Sequence, residues 1–139
     1  MGDITTYITN ASTLVGTLGS FSPQVAIRDI DFAVYPMTTA NEYQIMSVPA
    51  MRVVTAVTVM LLTKDTGAGI VDIGVSSGDN TFHNDYAVGS TGTINVPTRV
   101  IAQLVGSATT YIWLGPATAN LSDGKLRVIV EFIDCSLGV

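Results

Sequence analysis

The sequence predicts an all-β fold, a sandwich or barrel of about eight short strands. Three observations predict it. The segment from Gly124 to Asp134 alternates strictly, with Leu126, Val128, Val130 and Phe132 on one parity and Lys125, Arg127, Ile129, Glu131 and Ile133 on the other. A period of two marks a strand with one face on a core. The same strand character recurs along the chain in short runs, separated by clusters of Gly, Pro, Ser, Asn and Asp. Turn formers at that spacing belong to antiparallel β folds. No convincing amphipathic helix interrupts the runs. At 139 residues the chain has the size of one domain and can bury a core without metals or disulfides.

Residues 1–23 are rich in Thr, Ser and Gly, yet Ile4, Tyr7, Ile8, Leu14, Val15, Leu18 and Phe21 recur too often for a disordered tail. The expectation is an N-terminal arm laid on a neighbour, or a first edge strand, ahead of a β-sandwich domain over residues 24–139. Val25 to Tyr35 reads as a strand with Ile30, Phe32 and Val34 on one face and Asp29 and Asp31 on the other, ended by Pro36. Tyr43 to Val48 is a shorter one, closed by Pro49.

Arg52 to Lys64 is the longest run. Val53, Val57, Val59 and Leu61 lie on one face, and Val54, Ala56, Met60 and Leu62 on the other. A strand apolar on both faces is buried on both sides. With no helix to cover the outer side, another subunit is expected there.

Lys64 to Gly69 is a hairpin loop, and Ile70 to Val75 a strand with Val71, Ile73 and Val75 inward. Ser76 to Asn80 is turn chemistry. Thr81 to Thr91 reads as a connection with a helical turn around Asn84 to Val88, and Thr93 to Val96 as a short strand ended by Pro97. Arg99 to Val105 and Thr109 to Leu114 are two further strands, and Gly115 to Asp123 is loop. All five prolines fall at strand ends or in loops, as prolines in β proteins do.

Composition points to assembly. Charged residues are 12% of the chain, against about 25% in an average domain. Mean hydropathy is +0.46. A small monomer normally covers its surface with charge. This chain instead offers Thr, Ser, Gly and Ala, so much of its outer surface is expected to be buried against other subunits. The net charge is −5, and the six basic residues are scattered, which argues against a nucleic-acid partner. Cys135 is the only cysteine, which excludes an internal disulfide and fits assembly in a reducing cytoplasm. Met1-Gly2-Asp3-Ile4 lacks signal-peptide character, and no apolar run approaches the roughly 18 residues of a membrane helix. No membrane partner is expected.

Reactive chemistry is sparse. His83 is the only histidine and sits beside Asn84 and Asp85, so it reads as an exposed loop residue rather than a ligand or a base. Asp29 and Asp31 share a strand face but read as solvated rather than as a catalytic pair. Asp79, Asn80 and Asp85 could offer oxygen ligands to calcium, without EF-hand spacing; turn-forming roles explain them more simply. No cofactor and no enzymatic activity are expected. Tyr111 and Trp113, at i and i+2 on one strand, place two rings on one face. They could stack a sugar, but on so uncharged a chain they read as a core or interface anchor.

The order of elements resembles the jelly-roll virion proteins of tailed bacteriophages: head decoration (cement) proteins, head fibres and tail-fibre tips. The likeness rests on the long apolar strand ending at Lys64 and on Ile70-Val71-Asp72-Ile73-Gly74-Val75. It continues through the loop Gly78-Asp79-Asn80-Thr81-Phe82 to the closing run Gly124-Lys125-Leu126-Arg127-Val128-Ile129-Val130-Glu131-Phe132, so it covers about Arg52 to Asp134. It implies a single jelly-roll-like β-sandwich of about eight antiparallel strands, forming homotrimers on a virion. The corresponding function is a capsid decoration or cement protein that binds the major capsid protein and stabilises the phage head. The alternative is a fibre tip that binds a host surface glycan. The residues expected at subunit contacts are Ile4, Tyr7 and Ile8 in the arm, Val54, Met60 and Leu62 on the long strand, and the anchors Tyr111 and Trp113.

Overall fold

A computed structural model describes residues 2–4, 23–106 and 108–135. Tyr7, Ile8 and most of the expected arm lie outside the described residues. Among the described residues, nine strands form two sheets: β1 (Gly2–Ile4), β2 (Pro23–Asp31), β3 (Asn41–Val48), β4 (Arg52–Thr63), β5 (Ile70–Gly74), β6 (His83–Ala87), β7 (Thr98–Gly106), β8 (Thr110–Pro116) and β9 (Lys125–Asp134). One sheet runs β2-β9-β4-β7 and the other β1-β3-β8-β5-β6. Apart from β1, which pairs in parallel with Asn41–Tyr43 of β3, every pairing between these strands is antiparallel.

The order of β2 to β9 has a simple origin. β2 pairs with β9, β3 with β8, β4 with β7, and β5 with β6. A long hairpin of nested pairs, wrapped once around a barrel axis, deals alternate pairs into opposite sheets. The result is a jelly roll of eight strands, with β1 added at one sheet edge. Fold class and the antiparallel sandwich are therefore as the sequence predicts.

The core lies between the sheets. β9 alternates without a fault, and Leu126, Val128, Val130 and Phe132 are buried. Opposite them on β4 stand Leu61, Val59, Val57 and Val54, also buried. That last pairing corrects the expected faces. A bulge between Val54 and Ala56 interrupts the period, so Val54 joins the core at 1% exposure and Val53 turns outward. One extra residue reverses every side chain beyond it. Val54 is thus a core residue of its own chain, not part of the outer face with Met60 and Leu62.

Three further differences have local causes. The strand expected to Tyr35 ends at Asp31. Phe32 donates to Gly124 O, Val34 and Tyr35 donate back to Asp31 O, and Asp31 caps Ala33 N through its side chain. Val34 therefore points to solvent, 62% exposed. Thr93 to Val96 is not a strand but a loop touching β4 through one parallel bridge, Leu61–Ile94. The expected connection with a helical turn is instead β6, an edge strand paired with β5. Asp85 takes a left-handed φ of 56° there, and its N–H is held by Asp72 Oδ1 at 2.8 Å.

Candidate interaction surface

The described residues hold no converging group of three or more His, Cys, Asp or Glu side chains. Each polar feature singled out in the sequence has a structural task. His83 is buried, not exposed. Its Nε2 donates to Val57 O at 3.0 Å, bridging from β6 to the opposite sheet, and its ring meets Tyr86 edge-on at 5.9 Å. Burial depresses its pKa, outweighing the bond to Val57. Asp79 turns back on its own loop. Oδ2 accepts from Val75 N at 2.9 Å, and the carboxylate also takes Thr81 Oγ1 at 2.7 Å. Burial pushes its pKa up, but those bonds win and leave it below the usual value. These bonds are turn chemistry.

The loops at one end of the sandwich converge on Asp65, which is 2% exposed. Its Oδ1 accepts from Ser122 N at 2.8 Å and Asp123 N at 3.0 Å, and its Oδ2 from Gly67 N at 3.1 Å. Burial raises its pKa, yet the three backbone N–H groups outweigh that and the net shift is downward. The β4–β5 and β8–β9 loops are thereby tied together. Met37 and Leu121 exchange backbone bonds, which adds the β2–β3 loop to the same cluster.

A shallow hollow of about 240 Å³ lies beside β6, lined by Tyr86, Ala87, Thr91, Gly92, Thr93, Val96 and Thr98. Its polar lining is hydroxyl and backbone. Tyr86 has a raised pKa, first from burial, opposed by bonds to the Leu61 backbone and Thr98.

The surface that does stand out is the outer face of β2-β9-β4-β7. Register sets its rows. Val25, Glu131, Ala56 and Ile101 form one row; Ile27, Ile129, Thr58 and Arg99 form the next; Asp29, Arg127 and Met60 form a third. Val25, Ile27 and Ile101 are 44%, 46% and 75% exposed. Val53, Met60, Leu62, Ile129 and Ile133 fill in between, half-buried. The expected solvated aspartates are paired. Asp29 holds Arg127 through two bonds of 2.7 and 2.9 Å, and Lys125 lies 3.8 Å from Asp31. The Arg127 side-chain bond pulls the Asp29 carboxyl below its usual pKa against the effect of burial. Arg99 on β7 meets Glu131 on β9 at 2.6 Å, so this pair crosses the intervening β4 above the buried Ala56 and Thr58.

Among the expected contact residues, Met60 and Leu62 belong to this face, whereas Tyr111 and Trp113 do not. They point out of the other sheet on β8. Trp113, between Gln44 and Gly74, is only 9% exposed and offers no open ring to a sugar; Tyr111 is half-buried beside Ser47. Ile4 lies in β1 opposite Tyr43. Sequence reasoning missed Val25, Ile27 and Ile101. The signal for Val25 and Ile27 was present in the odd parity of β2, where Val25, Ile27, Asp29 and Asp31 share one face.

No protein-family model matches the chain, and no curated protein does. Solved structures do. A chain of the cyanophage Pam1 capsid asymmetric unit superposes with a TM-score of 0.64 at 18% identity, over 90% of this chain and 94% of that one. A chain of the capsid of Ralstonia phage GP4 gives 0.64 at 15% identity, over 96% and 98%. A chain of the acid-stable capsid of Helicobacter pylori bacteriophage KHP30 gives 0.59 at 15% identity, over 84% and 91%. The jelly roll described above is therefore a fold found, nearly end to end, in chains of phage capsids.

Proposed function

We propose that the chain is a structural, non-enzymatic protein of a phage virion, and within it a capsid decoration or cement protein that trimerises and stabilises the head. One observation carries the reading. The likeness spans more than nine tenths of each of those three capsid chains, so the counterpart is a whole small chain rather than one domain of a larger one. The low charge content supports it, because a lattice component covers its flanks with neighbours. The physical role follows by mass action. Each copy bound only to the assembled shell favours that shell over its dissociated parts, and small contributions sum over many copies.

The test is a count and a melt. Quantitative mass spectrometry of purified particles should find hundreds of copies. Particles assembled without the chain should release their DNA at a lower temperature, and adding the purified protein back should restore the original value. A few dozen copies or fewer, with unchanged thermal release, would overturn the cement reading in favour of a fibre.

A further inference from the structure

We propose that the outer face of the β2-β9-β4-β7 sheet docks against a second copy of this chain. The inference rests on the self-association half of the reading above and stands apart from its virion half. Charge selects the occupant. The whole chain carries −5 and two copies repel. This face holds three acids, Asp29, Asp31 and Glu131, and three bases, Lys125, Arg127 and Arg99, paired among themselves. The remaining eight acids and three bases of the sequence place the entire net charge elsewhere. Copies of one acidic protein thus have a neutral side to approach by, and the ionic groups on it are already neutralised within the chain.

Size is adequate. Four strands about 4.8 Å apart and nine residues long at about 3.3 Å each make a patch of roughly 19 by 30 Å. With side-chain relief, that approaches the about 800 Å² per partner that a stable interface buries. The apolar positions are open where a partner would need them. Ile101, at 75% exposure, is the least covered large apolar side chain among the described residues, and Val25 and Ile27 stand on the strand at the far edge of the same sheet.

The experiment is sedimentation equilibrium on the purified full chain from 1 to about 100 μM, with wild type, Ile101→Glu, the double variant Val25→Lys with Ile27→Lys, and the control Val34→Glu on the β2–β3 loop. Circular dichroism and melting confirm that each variant is folded. Wild type should associate, and Ile101→Glu and the double variant should raise the dissociation constant roughly tenfold or more, because each buries unpaired charge. Val34→Glu should change nothing. If both face variants associate like wild type, or if wild type is monomeric throughout, the inference is overturned. Neither result touches the copy number in particles, so failure here and failure of the virion reading remain distinguishable.

Discussion

On the outer side of β2-β9-β4-β7, Val25, Ile27 and Ile101 stand 44% to 75% exposed, whereas on the outer side of the opposite sheet Glu42, Gln44 and Trp113 are 7%, 7% and 9% exposed. Both layers face one core and both obey the same two-residue period. They differ in what happens behind that core. The first layer is built of strands of nine to twelve residues and leaves its back open, with ionic groups tied down in pairs. The second has strands of five to eight residues beyond β1 and tucks polar and aromatic groups away within the chain; a Cβ on Gly115 would collide with the Glu42 carboxylate. The lesson is that the largest aromatic side chain is tucked into its own chain, whereas the open, charge-balanced layer is the one proposed above to meet a second copy.

The sharpest way to break this contrast is a pair of truncations measured by denaturant unfolding. Trp113→Ala should cost about 3–5 kcal/mol, as for a buried aromatic, while Ile101→Ala should stay within about 0.5 kcal/mol in the dissociated protein. Equal costs would mean that the two backs are not different.

Asp65→Ala probes the tie between loops that both layers share. It removes the acceptor of three backbone N–H groups and should cost about 1–3 kcal/mol. Because the folded carboxyl of Asp65 titrates below the usual carboxylate value, its stabilisation is present above the unfolded pKa and is lost as pH falls through the folded one. The variant should therefore also show a flatter acid unfolding curve below about pH 4.

His83 joins the layers, and its titration runs in a separate window. Its folded pKa lies below 6.5, so between the two values the unfolded chain binds more protons and folding weakens as pH drops. From pH 7 downward the wild type should lose up to about 1.4 kcal/mol per pH unit. His83→Gln should lack that slope, whatever its stability at pH 7. Asp29→Asn is expected to have the smallest effect, a barely shifted melting temperature, since the pair with Arg127 is solvent-facing.

Much of this architecture was legible because alternation survives wherever a strand is long and regular. β9 was readable residue by residue, and the ends of β3, β4, β5 and β8 were placed within two residues. The failures share one cause, which is that tertiary pairing rather than local pattern decides. β6 has the sequence His-Asn-Asp-Tyr-Ala, without a branched aliphatic residue, and is a strand because β5 supplies its ladder. Ile94 and Val96 alternate like a strand but lack a partner ladder beyond one bridge. Val54 was misplaced because a bulge is invisible in a period of two. The open outer face of β2-β9-β4-β7 was half legible. Met60 and Leu62 were found on the doubly apolar strand, but Ile101 was missed, since its significance depends on lying one strand away from Ala56.

The nesting of first with last has a consequence for how the molecule comes into being. Asp29 and Arg127, 98 residues apart, are cross-strand neighbours, and β9 lies between β2 and β4 rather than at a margin. During synthesis β2 must therefore wait, without its ladder, until β9 has left the ribosome. Closure of so long a loop places the fold among the slow ones. A truncation just before Lys125 would remove a central plank and separate β2 from β4-β7, a far worse injury than loss of an edge.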